Sequence, residues 1–303
     1  MRKTSQHNPE DRNIRLYEAL FKLVLKGTGV VMVTLLLALL ITILWQSWPS
    51  IREYGIHFYT GRKWDPVFKD YSALPFIIGT LATTLLSLMI AVPIAISLAI
   101  FSGFYVKSGF LASAIRTLVD LLAGIPSVIY GFWGLFVLVP VIRKLELAIG
   151  IVPYGVGILT SSLILAIMII PYAASIGRDV ISMVPTELKE AGLALGATPF
   201  EVVTQVVLPY AKSGLLSGVL LSFGRSIGET MAVTMVIGNA NFIPGSIFDP
   251  ANTLSSVIAN EFAEATDPLY ISNLVHLGLI LFVTTTIIGF LGRMVIRRWN
   301  VNQ

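Results

Sequence analysis

The sequence predicts an all-α, polytopic membrane protein with six transmembrane helices. Three observations predict it. Hydrophobic residues fill 55% of the 303 positions and charged residues 13%, with a mean hydropathy of +0.81. A soluble domain carries roughly twice that charged share. Six apolar runs each reach the roughly 20 residues that a bilayer requires. Lysine and arginine are also unevenly divided among the segments between the runs, and that imbalance sets orientation.

Taken in order, residues 1–26 read as a polar N-terminal tail, mobile over about 1–15. The first span follows at 27–45. The sequence Trp45-Gln-Ser-Trp-Pro49 lacks a small-residue cleavage pattern, so the run reads as a retained helix rather than a signal peptide. The other spans are expected at 74–100, 118–140, 155–177, 213–238 and 271–292, the second and fifth being long enough to tilt. With the N-terminus inside, the inner segments hold fourteen Lys and Arg and the outer segments six. Both termini and the segment 178–212 are therefore expected in the cytoplasm. The outer segment 239–270 has four acids, Asp249, Glu261, Glu264 and Asp267, and no cation. It reads either as a surface for an outer partner or as a solvated loop.

Composition narrows the chemistry. There is no cysteine, which excludes disulfides, thiolate zinc sites and cysteine nucleophiles. His7, His57 and His276 are scattered and lack metal-binding spacing. No metal site and no catalytic residue is expected. The net charge of +4 is modest, and no nucleic-acid partner is expected.

The inner segment 178–212 is the most informative. It reads as two short helices joined by a tight turn. Pro185 opens the first, and Gly196 suits its left-handed end. Thr198-Pro-Phe-Glu201 has the form of a capping box with proline at the first helical position. Pro209 is expected to stop or kink the second helix. A rigid helical hairpin on a chain otherwise built for lipid suggests a docking handle. Leu188, Leu195 and Phe200 are candidates to fill an apolar groove, with Glu190 acting through capping or a partner's cation. The plain alternative is a hairpin that only connects two spans.

The hairpin carries a pattern: Glu190, Ala191, a small Gly192, three residues, Gly196, nine residues, Val206, then Leu208-Pro209. This resembles the signature of ABC importer permeases at every spacing. Gly192 departs from the usual alanine, which loosens a helix by about 1 kcal/mol. The stretches Ala123–Gly134 and Gly224–Asn239 resemble spans of phosphate importer permeases, the second closer to the C-type than to the A-type subunit. The resemblance covers about 70–300. It implies a type I importer domain over 71–297, after a first span and outer loop over 27–70 and before a tail over 298–303. It further implies a heterodimer with an A-type permease subunit in a bacterial inner membrane. Two copies of a cytoplasmic ATPase would dock on the hairpin, and a phosphate-binding protein outside. No Gly-x-x-x-x-Gly-Lys-Ser/Thr loop occurs here. No cofactor is expected in this chain, and ATP is expected on the partner.

Arg225 and Glu229 are the only ionisable residues well inside a predicted span. Such charges usually face a bundle interior or an aqueous path. On a helical wheel Gly214, Gly218, Leu221, Arg225, Gly228, Glu229 and Ala232 share one face. Leu216, Leu220, Phe223 and Ile227 lie opposite, toward lipid. Two readings stand. Arg225 is a transient ligand for a tetrahedral oxyanion, held by Glu229 as its i,i+4 partner. Alternatively the pair only neutralises itself at a subunit interface. Pro126, Pro140 and Pro171 are hinges or packed kinks, and Tyr130 and Trp133 pack or anchor. The rival functions are a permease for molybdate, tungstate or sulfate, an ATP-independent secondary transporter or channel, and a non-conducting scaffold.

Overall fold

The computed structural model describes residues 9–106 and 108–300, with side chains from 17 to 297 apart from 107. The described residues form helices and no strand. They run as α1 (Pro9–Tyr54), α2 (His57–Thr60), α3 (Leu74–Ile100), α4 (Phe110–Ala123), α5 (Ser127–Trp133), α6 (Val139–Ala148) and α7 (Ile158–Ser182). Then come α8 (Thr186–Ala194), α9 (Pro199–Val202), α10 (Leu208–Ile227), α11 (Met231–Thr234), α12 (Leu254–Glu261) and α13 (Pro268–Asn300). Six stretches are long and apolar enough to cross a membrane: Tyr17–Tyr54, Leu74–Tyr105, Ser127–Ala148, Ile158–Ser182, Pro199–Ile227 and Pro268–Arg297. Six spans were expected; several boundaries differ, each for a physical reason.

The first helix is far longer than 27–45. Residues 9–26, read above as tail, are helical, while the start of the tail (1–8) lies outside the described residues. At the other end the helix continues through Pro49. A proline inside a helix removes one N–H and disrupts the neighbouring bond. Here Ser272 of α13 supplies the missing partners. Its hydroxyl accepts from the Ser50 N–H (3.1 Å) and donates to the Gln46 carbonyl (2.7 Å). A neighbouring hydroxyl re-satisfying the backbone is what makes proline tolerable in membrane helices.

The expected third span, 118–140, is two elements. Its first part belongs to α4, and the chain breaks at Gly124-Ile125-Pro126 before α5. The residue before proline avoids helical geometry, and Pro126 is extended (φ −56°, ψ 137°). Hydropathy had fused two apolar runs across this break. Pro140 and Pro209 do not interrupt their helices. Each lies two residues after a π turn, Gly134–Leu138 and Val203–Val207. The extra residue of a π turn relocates the backbone bonds that a proline would spoil, so Pro209 neither stops nor sharply ends its helix.

The centre of the bundle is α7, packed parallel to α3, where Gly177 meets Ala99, and antiparallel to α10. Its buried face includes Ile164, Leu165, Met168 and Ile169, which meet Ala91, Ala232, Val233 and Val236. Glycines on α10 permit close approach. A Cβ at Gly214 would fall 2.7 Å from Val180 Cγ2, and one at Gly218 would fall 3.1 Å from Ile176. The α8–α9 hairpin marks one end of the bundle, where Ile181, Val184, Val202 and Val207 form a small core.

The opposite end is capped by an aromatic core of Phe58, Trp64, Tyr71 and Phe76 with Leu254, Leu274 and Leu277. The segment 239–270 is more than a plain loop: it contains α12, and most of its acids are tied into the fold. Glu261 accepts from Trp64 Nε1 (2.7 Å), the Tyr270 hydroxyl (2.7 Å) and Asn241 Nδ2 (2.9 Å). Asp267 pairs with Lys69 at 2.6 Å, and Asp249 closes a turn through the N–H groups of Gly245 and Ser246. Three of the four acids bind residues of their own chain.

Candidate functional site

Two places carry the candidate residues. The first is the hairpin. α8 ends with Gly196 at φ +88°. The Gly196 N–H bonds the Leu193 carbonyl (3.0 Å) and the Ala197 N–H bonds the Gly192 carbonyl (3.2 Å). This is the double bond pattern of a Schellman motif, which needs the left-handed residue that glycine supplies. The capping box is present in both directions. Thr198 N–H donates to Glu201 Oε2 (2.7 Å), and Glu201 N–H to Thr198 Oγ1 (3.3 Å). Gly192 faces inward, where a Cβ would stand 3.1 Å from Val202. Its small size lets α8 close on α9.

This rigid hairpin turns apolar side chains outward. Leu195 is 90% exposed, Phe200 69% and Leu188 42%. Glu190 and Ala191 are exposed too. The Glu190 side chain makes no hydrogen bond or ion pair with the described residues, so it caps none of them. Sequence reading missed two contributors. Met183, 75% exposed, extends the apolar surface. Lys189 is buried, and its Nζ donates to the Ile181 carbonyl (3.2 Å) near the C-terminus of α7. A cation there complements the helix dipole.

The second place is the end of α10. The expected span 213–238 stops at Ile227. Glu229 therefore lies beyond the helix, and the i,i+4 pair with Arg225 does not form. Instead the Glu229 carboxylate accepts from the Ala232 N–H (3.3 Å), while its carbonyl accepts from Ser255 Oγ (2.8 Å). The helical face drawn above also changes. Ile227 is buried, Leu220 lies against Gly292 of α13, and Leu221 is exposed. The helix ends here because the following segment folds back onto α5 and α7. Gly131 has no room for a Cβ, which would fall 2.9 Å from both the Ala232 Cα and the Met235 sulfur. The carbonyls of Val236, Ile247 and Asp249 accept N–H groups at the start of α7, donors that a helix cannot satisfy itself.

Arg225 thus sits in the last turn of an interrupted helix. Its guanidinium carbon lies 5.5 Å from the centre of the Tyr172 ring. Tyr172 is 14 residues from one end of α7 and 10 from the other, about 21 Å and about 15 Å along the axis. The arginine is near mid-depth. It is half-buried, and its Nε is buried without a hydrogen-bond partner. Next to it, Ser226 and Ser87 join α10 to α3 through their hydroxyls at 3.1 Å. Irregular backbone at membrane depth occurs where it is buried in protein or lines a water-filled cavity, and interrupted helices mark binding sites in many transporters. Tyr130 donates its hydroxyl to the Leu122 carbonyl (2.7 Å), a packing role. Among the described residues no His, Asp and Glu cluster could hold a metal.

Comparisons with known proteins agree with this architecture. The family model described as "Binding-protein-dependent transport system inner membrane component" matches residues 91–301. The phosphate transport system permease protein PstC of Mesorhizobium japonicum is 43% identical, over 95% of this chain and 92% of its own. That of Haemophilus influenzae is 44% identical, over 93% of each. Among solved structures, a bacterial ABC transporter that imports alginate superposes with a TM-score of 0.64 at 18% identity, over 94% of this chain and 99% of that one. An inward-facing MetNI methionine transporter gives 0.58 at 19% identity, over 74% and 94%. These two likenesses concern the fold alone.

Proposed function

This chain belongs to the family of inner-membrane components of binding-protein-dependent transport systems, and from that premise we propose that it is the C-type permease subunit of an ATP-driven phosphate importer. It forms one half of a translocation pathway in a bacterial inner membrane. An A-type permease subunit forms the other half. Two copies of a cytoplasmic ATPase dock on the Glu190–Pro209 hairpin and its counterpart. A phosphate-binding protein delivers substrate from outside. Both termini and the hairpin face the cytoplasm.

One observation carries the reading: Arg225, half-exposed at mid-depth where α10 breaks off, forms no ion pair with a carboxylate among the described residues. An unneutralised guanidinium is a poor fit to lipid and a good fit to a passing oxyanion, whose oxygens match its paired donors. Glu229 does not cancel that charge. Its carboxylate stabilises the backbone turn that ends the helix and so shapes the path. ATP is bound and hydrolysed by the partner, and coupling requires that ATP favour one conformation of the assembly.

The test is Arg225→Ala in the reconstituted complex, with labelled phosphate and competing molybdate, tungstate and sulfate. Uptake should fall at least about a hundredfold while the subunits still copurify. Near-normal uptake would overturn the path reading. Loss of assembly would assign Arg225 to the subunit interface. Uptake that ignores ATP would leave a secondary transporter, and competition by molybdate rather than phosphate would move the substrate.

A further inference from the structure

We infer that Tyr172 is the positioning residue for the anion-binding Arg225. This rests on the path reading above and deepens it. A flexible cation at mid-depth needs something to hold it. The sequence suggested Glu229, but that carboxylate accepts from the Ala232 N–H and lies beyond the helix end. Across the bundle the guanidinium meets the face of Tyr172, 5.5 Å from the guanidinium carbon to the ring centre, with the Tyr130 hydroxyl group also within electrostatic reach.

The difference between a carboxylate and a ring decides what the arginine can do. A carboxylate occupies the N–H donors and cancels the charge. An aromatic face attracts the cation through its quadrupole and leaves both unchanged. The donors of a guanidinium lie in its own plane, and among the described residues no carboxylate or carbonyl takes them. The Nε atom of Arg225 is buried and unbonded, while its terminal nitrogens are not among the buried unpaired atoms. Tyr172 is well placed to be a fixed support. It follows Pro171 on α7, the most buried helix of the bundle. The antiparallel register set by Gly214 against Val180 and Gly218 against Ile176 brings Arg225 to it. Tyr172 touches no reacting group. It acts on phosphate only through Arg225.

The test uses the full complex in proteoliposomes with ATP and phosphate-loaded binding protein, read as phosphate taken up per ATP hydrolysed. Tyr172→Phe keeps the ring and should stay within about twofold of the parent. Tyr172→Leu should lose about two- to thirtyfold, the range spanned by cation–π attraction. Mono-, di- and trifluorinated phenylalanines at position 172 keep the shape and weaken the quadrupole, so uptake should fall in step with fluorination while assembly is unchanged. A flat fluorination series would overturn the proposal, because a purely packing role would not sense the substitution. So would Tyr172→Phe falling as far as Tyr172→Leu, which would assign the effect to the hydroxyl. Arg225→Ala separates the two readings. If it abolishes uptake while the fluorinated series is flat, only the Tyr172 proposal fails. If it leaves uptake intact, the path reading fails with it.

Discussion

Replacing Leu195 with alanine separates docking from stability more cleanly than any other single change in the hairpin. Leu195 is 90% exposed and sits between the end of α8 and the Gly196 turn. Within this chain it has almost nothing to lose, and surface substitutions of this kind fall within about 0.5 kcal/mol. In a partner's groove it has a great deal to lose. Removing the leucine's branched end deletes about three carbons' worth of apolar surface. At about 0.8 kcal/mol per buried methylene, that is roughly 2 kcal/mol. The ATPase should therefore bind about thirtyfold more weakly, while thermal unfolding of the isolated permease barely moves. The assay is ATPase affinity for the permease in lipid nanodiscs, by biolayer interferometry, beside an unfolding scan. Unchanged affinity would refute the docking surface. Lowered affinity with an equal loss of permease stability would refute the premise that the hairpin is rigid without its partner.

Two other outcomes follow from the far end of the molecule. Ser272→Ala removes the hydroxyl that bridges the Pro49 break and leaves the Ser50 N–H and the Gln46 carbonyl without that partner. It should destabilise the permease by about 1–3 kcal/mol, seen as a lower unfolding midpoint in detergent and earlier proteolysis between α1 and α2. The Lys69–Asp267 pair sets a pH window. The Lys69 hydrogen bond holds the Asp267 carboxyl below its usual value, and Asp267 in turn raises Lys69. A carboxyl depressed on folding contributes stability above its unfolded value, lost as pH falls through the folded one; a raised lysine contributes below its unfolded value, lost as pH rises through the folded one. Unfolding scans across pH should show this link weakening below about pH 4 and above about pH 10, and Asp267→Asn should flatten the acid limb.

The hairpin was legible in the sequence almost atom by atom, because its determinants are local. Thr198 and Glu201 are three residues apart and cap each other; Gly196 must be left-handed to close α8. The end of α10 was not legible. Apolar residues continue past Ile227, and a helical wheel drawn through them places Arg225 beside Glu229. The stop comes from α5 and α7, which hold the segment after Gly228 at a distance that only Gly131 allows. The same holds for Pro49, whose helix survives through a hydroxyl more than two hundred residues away.

The class, the number of spans and the local structure of the hairpin were readable from the order of residues. Each rests on hydropathy, charge balance or contacts within a few residues, which the order of residues encodes directly. Which groups meet at mid-depth depends instead on packing between helices. Arg225 lost the carboxylate four residues on and met Tyr172, fifty-three positions back along the chain. In a bundle whose backbone bonds are satisfied within each helix, packing between helices sets where a helix ends and what its last side chain touches.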